Sequence, residues 1–155
     1  MPVIVGQPAP SFTLPTDELK PLSLDTMRGH KVLLLFFPGA FTSVCTTELN
    51  QVNNDLDSFG ENTRVLGIST DSPFVLKEFK RVHGLSFPLL SDHDATVSAL
   101  YGAKYDRDFT DMKLDRIARR AVFVLDEEGI VRYAEVLENA GDLPDFDQIK
   151  SVLHA

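Results

Sequence analysis

The feature that most constrains the fold is an unbroken apolar run over residues 32–37, Val-Leu-Leu-Leu-Phe-Phe, which Pro38 and Gly39 end. A strand with one face in water alternates apolar and polar residues, whereas this run has no polar face. We therefore predict a central strand over residues 31–37 that is buried on both faces of its sheet.

Strand and helix patterns alternate along the rest of the chain. The predicted elements are, in chain order, a hairpin of 11–14 and 22–24, the strand 31–37, a helix over 43–59, a strand over 64–70, a helix from Pro73 to Gly84, an extended segment over 87–90, a small helix over 95–101, a strand pair of 120–126 and 130–136, and a closing helix over 146–153. The second helix is expected to bury Phe74, Phe79 and Val82. This order describes an α/β sandwich with a mixed central sheet flanked by helices, which is the thioredoxin fold with an N-terminal β-hairpin. Without a repeat or a linker in the sequence, we predict one domain over residues 1–155.

Composition and charge exclude several classes of partner. The 155 residues carry a net charge of −8, and 43% of them are hydrophobic. Binding to nucleic acid or to an anionic membrane needs an excess of Lys and Arg on one face, so neither partner is expected. The residues after Met1 have no basic start and no long apolar run, so no signal peptide is predicted. The longest apolar stretch is also too short to span a membrane.

The chain has one cysteine, Cys45. A lone cysteine cannot form an internal disulfide, and we expect a reducing, cytoplasmic setting. Cys45 falls in the first turn of the helix predicted to start near Ser43, where amide N–H groups lack helical partners and the helix dipole is positive. Both effects favour the thiolate over the thiol. The alternative is an inert thiol on the apolar stripe, because Cys45 lies four residues before Leu49.

Four residues are candidates to complete a site around Cys45. Thr42 lies three residues before it, which places a hydroxyl on the same side of the turn. Pro38 fixes the loop and removes one backbone donor, which helps to exclude water. Arg120, at the start of a predicted strand, can provide a permanent cation. Glu48 can orient that guanidinium, although a carboxylate toward the N-terminal end of a helix also favours the helix dipole.

The spacing Pro38-x-x-x-Thr42-x-x-Cys45, directly after an apolar strand, resembles the active-site motif of the peroxiredoxins, the AhpC/TSA superfamily. Arg120 before Ala-Val-Phe-Val-Leu-Asp is similar to that family's second-sphere arginine. Further similar segments extend over nearly the whole chain, at 6–14, 71–74, 87–92 and 126–129. The resemblance implies a peroxidase in which Cys45 attacks a hydroperoxide and becomes a sulfenic acid. Thr42, Arg120 and Pro38 then belong to the catalytic set, and Glu48 supports it.

A thiolate alone makes a poor peroxidase. A thiol whose pKa falls from about 8.5 to about 6 gains roughly thirtyfold in thiolate at pH 7 but loses about tenfold in nucleophilicity. The rest of the rate must come from groups that hold the peroxide in line and stabilise charge on the leaving oxygen.

Within that family the chain resembles one-cysteine members, near the thiol peroxidase, bacterioferritin-comigratory and AhpE-like branches. The resolving cysteine of the thiol peroxidase branch would fall near Lys80, and lysine cannot resolve a sulfenic acid. The sequence also ends at Ala155 without the C-terminal arm of the typical two-cysteine class. The resemblance therefore implies an external reductant, either a low-molecular-weight thiol or a thioredoxin- or glutaredoxin-like protein, and a homodimer. No cofactor or metal is expected, since no two Cys or His residues have ligand spacing.

Other functions stay open at the level of sequence. A thiol–disulfide oxidoreductase needs Cys-x-x-Cys, and here Glu48 holds the second position. A cysteine hydrolase needs a His base near the thiol, whereas the four histidines are expected at the surface: His30, His83, His93 and His154. A peroxide-sensing thiol protein that relays oxidation to a partner, or an inactive binding module on the same scaffold, would share the fold.

One choice between neighbouring residues and one candidate apolar rim complete the predicted site. Side chains alternate along a strand, so only one of Arg119 and Arg120 can face the thiol. The similarity of Arg120 to the family's arginine favours Arg120, and Arg119 is then expected at the surface. Phe41, Phe74 and Phe109 are candidates for an apolar rim that favours organic peroxides, although phenylalanines more often pack in a core.

Overall fold

The computed structural model describes residues 3–109 and 111–155, apart from the side chain of Phe109. The strands are β1 Thr13–Pro15, β2 Pro21–Ser23, β3 Lys31–Phe36, β4 Thr63–Ser69, β5 Leu89–Ser91, β6 Ala121–Leu125 and β7 Val131–Val136. The helices are α1 Ser43–Asn54, α2 Pro73–His83, α3 Thr96–Leu100 and α4 Phe146–Leu153. Short 3-10 turns cover Leu24–Met27, Leu56–Phe59 and Arg107–Phe109.

Five of the strands form one mixed sheet in the order β5-β4-β3-β6-β7. Strands β3, β4 and β5 are parallel, whereas β6 runs antiparallel to β3 and β7 antiparallel to β6. The first two strands pair with each other in a separate antiparallel hairpin. This arrangement confirms the predicted α/β fold with a mixed central sheet and an N-terminal hairpin.

The central strand β3 is buried on both faces, as its apolar run predicts. Alternate side chains pack into two separate cores: Val32, Leu34 and Phe36 face one core, and Leu33, Leu35 and Phe37 face the other. Burial of each such side chain stabilises the fold by about 1.5–3 kcal/mol. The loop to α1 therefore begins at the end of a strand that both cores hold in place.

The helices α1 and α2 differ in part from their predicted bounds. Helix α1 ends at Asn54, because Asp55 leaves the helical region with φ −128° and ψ 24°, and a 3-10 turn follows. Helix α2 has the predicted ends. The Ser72 hydroxyl accepts a hydrogen bond from the Val75 amide, and Gly84 ends the helix at φ 61°.

The predicted buried face of α2 is wrong for two of its three residues. Phe79 is buried together with Leu76, but Phe74 is 69% exposed and Val82 is 51% exposed. Five residues separate Phe74 from Phe79, which turns their side chains about 140° apart at 100° per residue. Packing on the sheet selects the Leu76–Phe79 stripe and leaves Phe74 on the opposite side.

No helix within the described ranges combines the length and the hydropathy that a bilayer crossing requires.

Candidate active site

Cys45 lies in the first turn of α1, the helix that follows β3. Thr42 is the N-cap residue, and its carbonyl accepts the first helical hydrogen bond, from the Thr46 amide at 2.9 Å. The Cys45 side chain is 0% exposed and packs in the same core as Leu49 and Val52. The thiol therefore combines the first-turn position with burial on the apolar stripe.

Arg120 contacts the thiol because β6 runs antiparallel to β3. Phe36 pairs with Ala121 at the end of β3, so the residue before Ala121 lies beside the loop that leads to Cys45. Arg120 Nη2 donates to Cys45 Sγ at 3.3 Å, and also to the Ala140 carbonyl at 3.1 Å. A single guanidinium nitrogen thus joins the thiol to the loop that follows β7.

Glu48 holds the other arm of the guanidinium. Arg120 Nη1 donates to Glu48 Oε1 at 2.7 Å, and both side chains are buried. Burial raises the pKa of Glu48 to about 7, although the charge and hydrogen bond of Arg120 work against the shift. Burial also opposes the charge on Arg120, but the negative charges of Glu48 and Cys45 raise the pKa of its guanidinium.

Thr42 and Pro38 lie in the loop that enters the site. The exposed Thr42 hydroxyl donates its proton to the Gly39 carbonyl at 2.7 Å. Its lone pairs remain available, so toward a further ligand this hydroxyl acts as an acceptor. Pro38 is half-buried at the end of β3 and lines a cavity together with Ala140.

Two groups of the site are not among the residues predicted from the sequence. The Asp71 carboxylate accepts hydrogen bonds from the Ala40 amide at 2.8 Å and from the Ser69 hydroxyl at 2.7 Å, and thereby fixes the loop before Thr42. Because β4 is parallel to β3, residues that follow both strands meet at one sheet edge, and this rule could have found Asp71. The Ala140 carbonyl is a backbone acceptor and has no residue pattern.

The neighbouring arginine has a different environment from the one expected. Arg119 is half-buried rather than a surface charge, and its Nε and Nη2 donate to the Leu137 carbonyl at 3.2 and 3.0 Å. Its guanidinium carbon also lies 5.9 Å from the centre of the Tyr105 ring. Arg119 and Arg120 therefore point in different directions, and Arg120 is the one that contacts Cys45.

The predicted phenylalanine rim is only partly described. Phe41 is exposed, has φ 66°, and packs edge-on against Phe79 with ring centres 5.1 Å apart. Phe74 is exposed on the solvent side of α2. The side chain of Phe109 lies outside the described residues. Among the predicted surface histidines, His30 and His83 are half-buried, and His83 contacts Asn50 and Phe79.

Comparison with known proteins shows the family of the chain. The profile of the AhpC/TSA family matches residues 5–134. A putative peroxiredoxin of Coxiella burnetii is 44% identical over 134 residues, which cover 84% of this chain and 87% of the relative. Alkyl hydroperoxide reductase E of Mycobacterium bovis is 40% identical over 146 residues, which cover 91% and 90% of the two chains.

A solved structure agrees over almost the full length of the chain. Peroxidoxin BcpB from Mycobacterium tuberculosis superposes with a TM-score of 0.85 at 28% identity, covering 98% of this chain and 97% of that one. With a matching profile over most of the chain, relatives of this identity and a shared fold, the protein belongs to the AhpC/TSA family, the family of the peroxiredoxins.

Proposed function

We propose that this protein is a thiol-dependent peroxidase that reduces hydrogen peroxide and organic hydroperoxides at Cys45. The observation that carries the proposal is the 3.3 Å contact between Arg120 Nη2 and Cys45 Sγ. A fixed cation beside the thiol stabilises negative charge that develops on a leaving oxygen. The names of the relatives, peroxiredoxin and alkyl hydroperoxide reductase, support the same chemistry.

The first step transfers one oxygen to sulfur. The Cys45 thiolate attacks the terminal oxygen of a hydroperoxide, ROOH, and the O–O bond breaks. The terminal oxygen keeps its hydrogen, so the products are the sulfenic acid of Cys45 and the alkoxide RO⁻, which takes a proton from water. Sulfur is oxidised by two electrons and the peroxide is reduced by the same two. Arg120 faces the charge as it moves from sulfur to the leaving oxygen.

Thr42 and Pro38 have positioning roles in this proposal. The Thr42 hydroxyl gives its only proton to Gly39, so it accepts the hydrogen of the incoming peroxide and orients the O–O bond. Pro38 holds the start of the loop and offers no amide to water. Glu48 keeps the guanidinium of Arg120 in place through the 2.7 Å ion pair.

Reduction of the sulfenic acid needs a thiol from another molecule, because Cys45 is the only cysteine. A first external thiol forms a mixed disulfide with Cys45 and releases water, and a second frees Cys45 and leaves as a disulfide. We propose a low-molecular-weight thiol or a thioredoxin- or glutaredoxin-like protein as reductant, and a cytoplasmic location, where such thiols are kept reduced. Lys80, near the expected place of a resolving cysteine, instead forms an ion pair with Asp17 at 3.3 Å.

A homodimer is the assembly that we propose. Exposed apolar side chains lie at Phe41 and on the solvent side of α2, at Phe74, Val75 and Val82. Phe41 packs on α2 through Phe79, so its exposed ring adjoins that helix. Exposed apolar surface of this kind marks interaction sites. Sedimentation velocity should show a dimer that Phe74→Ser weakens, and a wild-type monomer at micromolar concentration would contradict this assembly.

The function is tested by rapid mixing of reduced protein with equimolar hydrogen peroxide, followed by trapping of the sulfenic acid and intact mass spectrometry. We expect a single-oxygen adduct at Cys45 that forms orders of magnitude faster than on free cysteine. Repeated turnover with an added thiol would separate an enzyme from a sensor that oxidises once. Cys45→Ser is the control, and oxidation no faster than that of free cysteine at pH 7 would overturn the proposal.

A further inference from the structure

The carboxyl group of Glu48 is only half satisfied in its buried position. Its Oε1 accepts from Arg120 Nη1 at 2.7 Å, whereas its Oε2 has no hydrogen-bond partner within the residues that the structure describes. Glu48 is 0% exposed. Burial of an ionised carboxylate that lacks hydrogen bonds is far more costly than burial of the neutral acid. The surroundings of Glu48 therefore favour the protonated form.

Strand β7 brings a second carboxyl group to the same face of the sheet. Glu135 pairs with Val122 of β6, and Val122 packs in the core that also contains Cys45. Residues that oppose each other on neighbouring strands point to the same face. Arg120 lies two residues before Val122 and points to that face as well. Glu135 is therefore a diagonal neighbour of Arg120, on the side of the sheet that carries α1.

Two hydrogen bonds hold the Glu135 side chain in place. Its Oε1 accepts from the Tyr133 hydroxyl at 2.8 Å and from the Asp145 amide at 3.1 Å. The first donor belongs to the same strand, and the second belongs to the N-cap residue of α4. Glu135 is half-buried and so remains in contact with solvent, unlike Glu48. The fold thus fixes one solvated carboxylate beside one that is fully enclosed.

The charge of Glu135 opposes the ionisation of Glu48. Burial is the main cause of the raised pKa of Glu48, and the like charge of Glu135 acts in the same direction. The charge and the hydrogen bond of Arg120 act against both effects. Arg120 already donates to the Cys45 thiol, and one guanidinium cannot neutralise several negative charges in a buried site. The acid that gives up its charge is the one that is most deeply buried.

Other ionisable groups near α1 lie away from Glu48. His83 at the end of α2 contacts Asn50, and Lys150 of α4 pairs with Asp55 beyond the C-terminal end of α1. Neither His83 nor Lys150 is among the charges that act on Glu48. The strand β3 presents only apolar side chains to this core. The protonation of this carboxyl is therefore governed by the thiol, the guanidinium and the carboxylate on β7.

We propose that Glu135 is a positioning residue for the reaction at Cys45, and that it acts through Glu48. Its negative charge keeps Glu48 uncharged in neutral solution, so that the charge of Arg120 serves the thiolate and the leaving oxygen rather than a second carboxylate. The inference rests on the proposed function, because it assigns the charge of Arg120 to that reaction. Glu135 itself donates nothing to the reacting atoms.

The protonation of Glu48 is measured by ¹³C NMR of the reduced protein labelled at the side-chain carboxyl carbons of glutamate. Glu48→Gln removes one resonance and thereby assigns it. We expect the pKa of Glu48 to be about 7 in wild type. In Glu135→Gln it should be lower by at least about 0.5 pH unit, because the like charge is gone. Glutamine keeps an oxygen that accepts from Tyr133 and Asp145, so the variant changes charge and not the acceptor.

The second measurement is the rate constant of Cys45 oxidation by hydrogen peroxide at pH 7. A pKa of Glu48 that falls by 0.5–1 unit lowers the neutral fraction of this acid about two- to fivefold, and we expect Glu135→Gln to lower the rate constant by the same factor. In a Glu48→Gln background, where residue 48 cannot ionise, Glu135→Gln should have no effect. This double-mutant cycle separates a role through Glu48 from a purely structural one.

Glu138→Gln is the matched control. It removes the same charge just after β7, but Glu138 is exposed and is not among the charges that act on Glu48. This variant should keep both the pKa of Glu48 and the rate constant of wild type. Equal changes in Glu135→Gln and Glu138→Gln would show a general effect of net charge and would overturn the inference.

The remaining outcomes separate the inference from the function on which it rests. An unchanged pKa of Glu48 in Glu135→Gln would overturn the inference and leave the peroxidase intact. A lowered pKa of Glu48 without a change in the rate constant would overturn the role of Glu135 in the reaction. Wild-type oxidation no faster than that of free cysteine would overturn the proposed function, even where the NMR titration shows that Glu135 and Glu48 are coupled.

Discussion

At the scale of single residues, Arg120 is shared between two acidic groups. Its Nη1 pairs with Glu48 and its Nη2 with the thiol of Cys45. One guanidinium cannot neutralise two negative charges in a buried site, so the state of Glu48 changes how fully Arg120 serves the thiolate. The two contacts also need the planar fork of arginine, because the single ammonium of lysine cannot reach both partners in this geometry.

Arg120→Lys should therefore slow the oxidation of Cys45 although it keeps the positive charge. We expect the rate constant with hydrogen peroxide to fall at least about tenfold, and Arg120→Ala to lower it about 10²–10³-fold. Arg120→Ala also removes the ion-pair partner of buried Glu48 and, at pH values where Glu48 is ionised, should cost about 3–5 kcal/mol of unfolding free energy. Quenched-flow reactions followed by mass spectrometry measure the rate constant of Cys45 oxidation. Urea unfolding measures the unfolding free energy.

Arg119→Lys is the control for this prediction. Arg119 donates to the Leu137 carbonyl and does not contact Cys45, so its replacement should leave the oxidation rate within about twofold. An Arg120→Lys protein that reacts as fast as wild type would show that charge alone is sufficient and that the fork has no role.

Because of Glu48, the unfolding free energy should fall as pH rises toward neutrality. Burial raises its pKa from 4.5 to about 7 in the folded protein, so between these values the folded state holds a proton that the unfolded chain has released. The stabilisation that protonated Glu48 contributes to the folded state is complete below about pH 4.5 and is lost as pH rises through about 7. Relative to Glu48→Gln, the unfolding free energy of wild type should fall by about 3 kcal/mol over this window, measured by urea unfolding.

Glu78 provides the matched control, because its shift has the opposite sign. The hydrogen bond from Arg81 lowers the pKa of this exposed carboxyl, so its contribution is present above the ordinary pKa and is lost toward acid. Glu78→Gln should therefore produce a small difference from wild type in the other direction. Equal pH dependence of wild type and Glu48→Gln would contradict the raised pKa of Glu48.

At the scale of elements, the antiparallel pairing of β6 with β3 creates the site. The apolar run of β3 predicted a strand buried on both faces, and the turn residues after it predicted where the strand ends. The register that brings Arg120 beside that end follows from the pairing of Phe36 with Ala121. Sequence periodicity identifies strands but not their order or direction in the sheet, so this contact was foreseen from family resemblance rather than from spacing.

The features that the sequence did not predict also depend on how elements and loops pack in three dimensions. The buried face of α2 depends on which stripe meets the sheet, and three large apolar residues at different angles gave an ambiguous pattern. The Ala140 carbonyl and the cavity beside Pro38 depend on the path of loops. Backbone acceptors and cavity walls have no periodicity, so only the folded chain reveals them.

Asp71 links β4 to the loop before α1, and its removal should loosen that loop. The carboxylate accepts from the Ala40 amide and the Ser69 hydroxyl, so Asp71→Ala leaves the loop without its anchor. We expect at least about tenfold faster reaction of the reduced Cys45 thiol with a bulky disulfide reagent, because this thiol is fully buried in wild type. The measurement is the release of the reagent's chromophore under native conditions.

Asp94→Ala is the comparison for Asp71→Ala. The Asp94 carboxylate accepts from the Thr96 amide at the start of α3, so this variant also loses a side chain to backbone hydrogen bond, but outside the Cys45 loop. It should leave the thiol reaction at the wild-type rate. Equal acceleration in both variants would mean that global unfolding, rather than the Asp71 contact, controls access to Cys45.

At the scale of the whole molecule, the chemistry at Cys45 conflicts with its packing. The reduced thiol is completely buried beside Leu49 and Val52, whereas the sulfenic acid carries an additional oxygen. An external thiol must also reach this sulfur, because the chain has no second cysteine. We therefore expect that oxidation opens a part of the fold.

We expect the oxidised protein to be less stable than the reduced one. An added oxygen in a packed apolar site costs about 1–3 kcal/mol, through overpacking and through polar burial. The first turn of α1 can relieve that strain by opening, because its amides have no helical partners to lose. Urea unfolding of reduced and sulfenic forms should show this loss, and hydrogen exchange should accelerate over residues 40–48 before it changes in β3. Cys45→Ser treated with peroxide should show neither change. A sulfenic form as stable as the reduced protein would mean that the site holds the extra oxygen without strain, and that the reductant reaches Cys45 by a route that needs no opening.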